Sequence, residues 1–227
     1  MKNLILLHGA LGASKQFDEI SSILDVNFNI HRFDFANHGN AEQYDGDISI
    51  DLFTRQLDNY INENNLSGAY IFGYSMGGYI ALNYALKYSG KTAAIFTLAT
   101  KFDWNPNSSA IEAKMLAPDT ILQKVPKYAD ELKTLHGEKW KDLLLKTSRM
   151  MIQLGDNQPF SMLDLNKITN NVTIAVGEED SMVTMDESLL AYRNLQHGRF
   201  LVLKDTKHPY AKVDKKILTR ELIEFFN

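Results

Sequence analysis

Cysteine is absent from this chain of 227 residues, which removes disulfide frameworks, thiolate nucleophiles and thiolate metal ligands from consideration. Long apolar runs are absent as well. The first run, Leu4–Leu7, has four residues, too few for a membrane span or the core of a secretion signal, so the expected location is cytoplasmic. The chain has neither a P-loop nor a G-x-G-x-x-G fingerprint, and no nucleotide or flavin cofactor is expected. No two of the six histidines stand at metal-site spacing beside a carboxylate, so no metal site is expected. A formal net charge of -4 offers no electrostatic ground for nucleic acid or an anionic membrane as partner.

What is present is an ordinary globular balance, 44% hydrophobic and 23% charged residues, at a length that fits one domain with a sizeable core and a modest insertion. Short apolar runs alternate with longer amphipathic stretches, the pattern of a mostly parallel, doubly wound α/β sheet covered by helices on both faces. The expected strands are Asn3–Leu7, Asn29–Asp34, Ala69–Gly73, Ala93–Ala99, Val172–Val176 and Phe200–Lys204. Several are apolar throughout, as strands buried on both faces are. Expected helices are Ser14–Leu24, Ile50–Asn62, Gly77–Tyr88, Thr184–Asn194 and Lys215–Phe226, each with apolar residues returning every three or four positions. The alternation lapses between about 101 and 167, where Pro106, Pro118, Pro126 and Pro159 punctuate what reads as several short helices. This stretch is the expected cap. Its apolar residues, Met115, Leu116, Ile121, Leu122, Met150, Met151 and Met162 among them, either face a pocket or pack the cap helices on one another.

The most informative segment is Ala69–Leu82, in which an apolar strand runs into Gly73-Tyr74-Ser75-Met76-Gly77-Gly78 and then into a helix-forming stretch. G-x-S-x-G arises by chance in roughly one such chain in twenty-five, so context decides. A serine alcohol is inert at neutral pH until a base takes its proton, and a strand-to-helix elbow lifts the side chain to where a histidine reaches it. Gly73 and Gly77 permit the sharp turn, and the helix N-terminus brings amides toward a developing oxyanion. Such a serine needs a base, an acid that orients the base, and oxyanion donors. His208 follows the last expected strand and Asp180 the one before it. In a parallel sheet these post-strand loops share one edge, so distant residues converge there.

The order Ser75, Asp180, His208 around a strand-elbow-helix resembles the α/β-hydrolase superfamily, and the chain looks like its cap-bearing serine hydrolases. The resemblance covers essentially the whole chain and is strongest at Leu4–Gly12, Asp34–Gly39, Gly73–Gly78, Gly177–Val183 and His208. It implies that the His8-Gly9-Ala10-Leu11-Gly12 loop supplies the Ala10 N–H, with Leu11 as the alternative, to pair with the Met76 N–H as the oxyanion hole. Two departures are visible. Asp34-Phe35-Ala36-Asn37-His38-Gly39-Asn40-Ala41 has asparagine where the family often has glycine, a replacement that tolerates positive φ. The chain also begins at what resembles the family's third strand, so by the resemblance the usual N-terminal hairpin is not expected in it.

Other residues have plainer readings. Glu178 and Glu179 adjoin Asp180 and compete with it as the acid, the resemblance favouring Asp180. Asp205 reads as a solvated loop carboxylate. His8 and His38 read as structural turn residues, and His31, His136 and His197 as strand, cap and surface residues. The expected activity is a serine hydrolase cleaving an ester or thioester of a small, partly apolar substrate through an acyl-enzyme. Carbon–carbon, amide or perhydrolytic chemistry with the same triad, or a triad-retaining small-molecule receptor, are the alternatives. Serine at the elbow argues against the relatives that carry aspartate there.

Overall fold

The computed structural model describes residues 1–227. Its strands are β1 (Lys2–Leu7), β2 (Phe28–Arg32), β3 (Ala69–Tyr74), β4 (Thr92–Leu98), β5 (Asn171–Gly177) and β6 (Gly198–Leu203). They form one sheet in the order β2-β1-β3-β4-β5-β6, and every neighbouring pair is parallel. Each lies within two residues of its expected position.

Side chains alternate across the sheet, and both faces are buried. Ile5, Leu7, Ile71, Ile95 and Ile174 belong to one core, while Leu4, Leu6, Phe72, Phe96 and Leu98 belong to the other. The first core is closed by α2 (Ile50–Glu63), α3 (Met76–Lys87) and α8 (Met185–Arg193), the second by α1 (Asp18–Leu24) and α9 (Lys215–Phe226). Two buried faces are why the strands read as continuous apolar runs rather than alternating ones. The helix expected from Ser14 starts as a 3-10 turn, Ser14–Phe17, before α1. There the Ser14 amide is drawn to Asp34 Oδ1 at 2.6 Å, which fixes how the chain enters the helix.

Between β4 and β5 lie α4 (Pro106–Lys114), α5 (Pro118–Lys124), α6 (Pro126–His136), α7 (Trp140–Asp156) and a 3-10 turn, Met162–Lys167. Proline opens three of these helices, where its fixed φ suits the first turn and its missing N–H has no partner to lose. Ile121, Leu132, Leu143, Leu144 and Leu154 of this insert join the first core.

Because the strands run parallel and in register (Leu7 beside Gly73, Tyr74 beside Leu98, Gly177 beside Leu203), their carboxyl ends form one edge. Strand order reverses between β1 and β3. The loops after these two strands therefore diverge around a crevice, the usual place for a ligand in an open α/β sheet.

Candidate active site

Ser75 sits between β3 and α3 with φ 52° and ψ -116°, a conformation a residue with a side chain holds only when its surroundings force it. The forces are identifiable. The Ser75 amide donates to the Leu98 carbonyl at 2.8 Å, and the Thr100 hydroxyl donates to the Ser75 carbonyl at 3.0 Å. Backbone packs against the elbow on both sides. A Cβ on Gly73 would lie 2.5 Å from the Gly77 carbonyl carbon, and one on Gly77 would lie 2.2 Å from the Leu7 oxygen. Glycine at both positions is therefore a requirement of close approach.

His208 and Asp180 meet above the same edge. His208 Nδ1 lies 2.9 Å from Asp180 Oδ2 and 3.1 Å from Oδ1. The Asp180 side chain is fully buried and that of His208 is 12% exposed. Asp180 Oδ1 also accepts from the amides of Met182 and Val183, both at 2.9 Å, so the carboxylate is held from three sides. The carbonyl of His208 accepts from the Tyr74 hydroxyl at 2.5 Å, which ties the histidine loop to the strand that carries Ser75. Burial pushes the Tyr74 phenol pKa well up, with the Asp180 charge adding to it, so the phenol remains a donor at neutral pH.

Ser75 and His208 are not hydrogen-bonded to each other in this structure. They line one cavity of about 50 Å³ together with Ala10 and Met76. Catalytic serine–histidine contacts often close only around substrate. The amides of Ala10 and Met76 take no partner among the loop, turn and cap hydrogen bonds; Met76 opens α3, where the first amides are free. Ten of the fourteen lining residues are apolar, Met150, Met151 and Leu154 of α7 among them. An adjoining groove of about 640 Å³ shares Tyr79 and Trp104 with it and includes Met162. Of the other insert residues named from sequence, Ile121 is buried in the core while Met115 and Leu122 are exposed.

The remaining expected residues separate cleanly. Glu178 is exposed and accepts from the Asp205 amide at 3.2 Å; Glu179 pairs with Lys207 at 3.7 Å, so neither reaches His208. Asn37 has φ 67°, and its side chain spans to the Tyr44 amide and carbonyl. His8 and His38 are buried turn residues. The Phe35 amide donates to His8 Nε2 at 3.1 Å, so Nδ1 carries the proton and donates to the Gly9 carbonyl at 2.9 Å. His136 does more than occupy the insert. As the last residue of α6 it takes the Gly39 amide on Nδ1 at 2.9 Å and donates from Nε2 to the Leu11 carbonyl at 2.9 Å. It thereby fastens the insert to two post-strand loops at once. Burial lowers the pKa of all three histidines, that of His8 to about 4.

Comparison with known proteins agrees with this fold. The family described as alpha/beta hydrolase fold matches residues 2–175. In overall fold the chain is similar to a thermophilic esterase from Thermogutta terrifontis, with a TM-score of 0.83, 16% identity, and coverage of 100% of this chain and 89% of that one. It is likewise similar to 2-hydroxy-6-oxo-6-phenylhexa-2,4-dienoate hydrolase from Rhodococcus sp. strain RHA1, with a TM-score of 0.82, 17% identity, and coverage of 99% and 90%. At those identities the likeness is one of fold. By sequence, 87 residues are 32% identical to a protein named "Probable alcohol acetyltransferase" from Cyberlindnera fabianii, covering 37% of this chain and 24% of that protein. The match thus spans about a quarter of that relative's length.

Proposed function

Since this chain belongs to the alpha/beta hydrolase family, we propose that it is a serine hydrolase whose Ser75, His208 and Asp180 cleave a small, partly apolar ester or thioester. The observation that carries the proposal is the strained elbow serine sharing one cavity with a histidine whose Nδ1 is bonded to a fully buried carboxylate. Ser75 Oγ attacks the carbonyl carbon while His208 Nε2 takes the hydroxyl proton. Asp180 accepts the Nδ1–H, fixes the tautomer and offsets the imidazolium charge. The oxyanion accepts from the Ala10 and Met76 amides, each donor contributing about 10²–10³ in rate. Collapse expels the alcohol or thiol with the proton from His208, and water then repeats the sequence to free the acid. Helices α4–α7 act as the cap, and the small apolar cavity suits a short acyl group.

A second outcome for the acyl-enzyme is transfer to an alcohol instead of water, favoured by the apolar lining and in keeping with the name of the acetyltransferase relative. Hydrolysis of acyl esters of graded chain length, with and without added ethanol, tests both outcomes. Turnover that falls with chain length and is lost in Ser75→Ala supports the mechanism; undiminished turnover by Ser75→Ala refutes it. An ethyl ester formed in the presence of ethanol measures the transfer branch.

A further inference from the structure

Four of the fourteen residues lining the Ser75 cavity are not apolar: Ser75, His208, Lys101 and Glu112. The first two are accounted for by the chemistry. The other two are charged residues of opposite sign, largely withdrawn from water, with side chains 16% and 10% exposed. Lys101 follows β4 and Glu112 lies on α4, so one comes from the sheet edge and the other from the helices above it.

The pair is poorly made. Lys101 Nζ stands 3.7 Å from Glu112 Oε1, beyond hydrogen-bond reach. The ammonium spends one of its three donors, on the Met182 carbonyl at 3.2 Å, and otherwise lies over the Trp104 ring, 5.8 Å from its centre, a contact that uses no N–H donor in hydrogen bonding. Its backbone is pinned by the Trp104 indole N–H, which donates to the Lys101 carbonyl at 3.1 Å. Stability does not explain such a pair, because buried ion pairs are commonly matched or bettered by apolar residues of the same volume. What it provides in an apolar cavity is unspent donors facing a carboxylate with unspent lone pairs.

Resting on the hydrolase reading above, we infer that the Lys101–Glu112 gap is a specificity subsite for a substrate hydroxyl, so that the preferred substrates are small esters carrying a hydroxyl in the acyl or alcohol part. A hydroxyl donates to Glu112 and accepts from Lys101 at once. A substrate carboxylate is opposed by Glu112 and a substrate ammonium by Lys101, since the pair is near-neutral as a unit. A purely alkyl substrate displaces water from both charges and returns no hydrogen bond, a penalty that sites built around polar groups impose on analogues lacking the partner.

The test compares isosteric esters: methyl 3-hydroxybutyrate with methyl 3-methylbutyrate, and 2-hydroxyethyl butyrate with propyl butyrate. Monomethyl succinate serves as the anionic control, and the wild type is labelled in parallel with a fluorophosphonate. The expected result is a kcat/KM about 10- to 100-fold higher for the hydroxylated member of at least one pair, with the ratio collapsing toward one in the Lys101→Met/Glu112→Leu double variant. Ratios near one in a wild type that is labelled overturn this inference and leave the hydrolase reading intact. So does a ratio that survives the double variant, or a preference for monomethyl succinate. Absence of both labelling and turnover overturns the hydrolase reading and this inference with it. If the double variant fails to fold, the wild-type ratios decide.

Discussion

Acidification from pH 7.5 to pH 5 should cost this protein stability through its buried histidines. His8 is fully buried and its two ring nitrogens are committed, one donating to Gly9 and one accepting from Phe35. Burial lowers its pKa from 6.5 to about 4. A histidine whose folded pKa lies below its unfolded value contributes stability that is complete above pH 6.5 and lost as pH falls toward the folded value. A shift from 6.5 to about 4 is worth about 3 kcal/mol in full, of which about 2 kcal/mol is spent by pH 5. That is a large share of a typical net stability of about 5–15 kcal/mol. His38 and His136 are shifted the same way, by burial first, and their rings lie 5.9 Å apart with His8 5.0 Å from His38; charging one opposes charging the next. Asp51 and Asp34 do not act in this window. Their pKa values are lowered despite burial by Lys87 and Asn83 and by the Ser14 and Asn40 amides respectively, so they give up stability only below about 3.8. Glu187, raised by burial, runs in the opposite direction, so the His8 contribution is isolated with His8→Gln. Urea unfolding followed by the fluorescence of Trp104 and Trp140 at the two pH values is the assay. The loss on acidification should be smaller by about 2 kcal/mol in the variant than in the wild type; equal pH dependence in both refutes the reasoning.

Three further outcomes are expected. Gly77→Ala brings a Cβ to 2.2 Å from the Leu7 oxygen, so β1 and α3 must part by about an ångström; thermal unfolding should show a loss of about 1–3 kcal/mol, and residual turnover should be down about 100-fold. Asp180→Asn offers an amide where His208 Nδ1–H needs an acceptor, and kcat should fall by about 10⁴ with KM little changed. His136→Gln keeps a donor near the Leu11 carbonyl, whereas His136→Asn keeps only an acceptor near the Gly39 amide. If His136 positions the loop that carries Ala10, kcat should be higher in the glutamine variant by about tenfold; equal kcat values count against that role.

Much of the fold is legible in the sequence because burial on both faces writes each strand as an apolar run, and because the glycines of the elbow have backbone for neighbours. That Ser75 and His208 would line one cavity and that Asp180 would meet His208 is legible because each follows a strand and parallel strands end on one edge. Lys101 and Glu112 are illegible for the opposite reason. A lysine after a strand and a glutamate on a short helix read as solvated charges, and only the folding of α4 over the sheet edge brings both into an apolar cavity. His136 is similar, since its two partners are 125 and 97 residues away and no local pattern marks a ring whose role is to join loops.

Intact-mass measurement after fluorophosphonate treatment, on the wild type and on Ser75→Ala, tests the proposed mechanism most directly. An activated Ser75 predicts a single adduct on the wild type and none on the variant. An unmodified wild type, or an adduct that persists in Ser75→Ala, contradicts it.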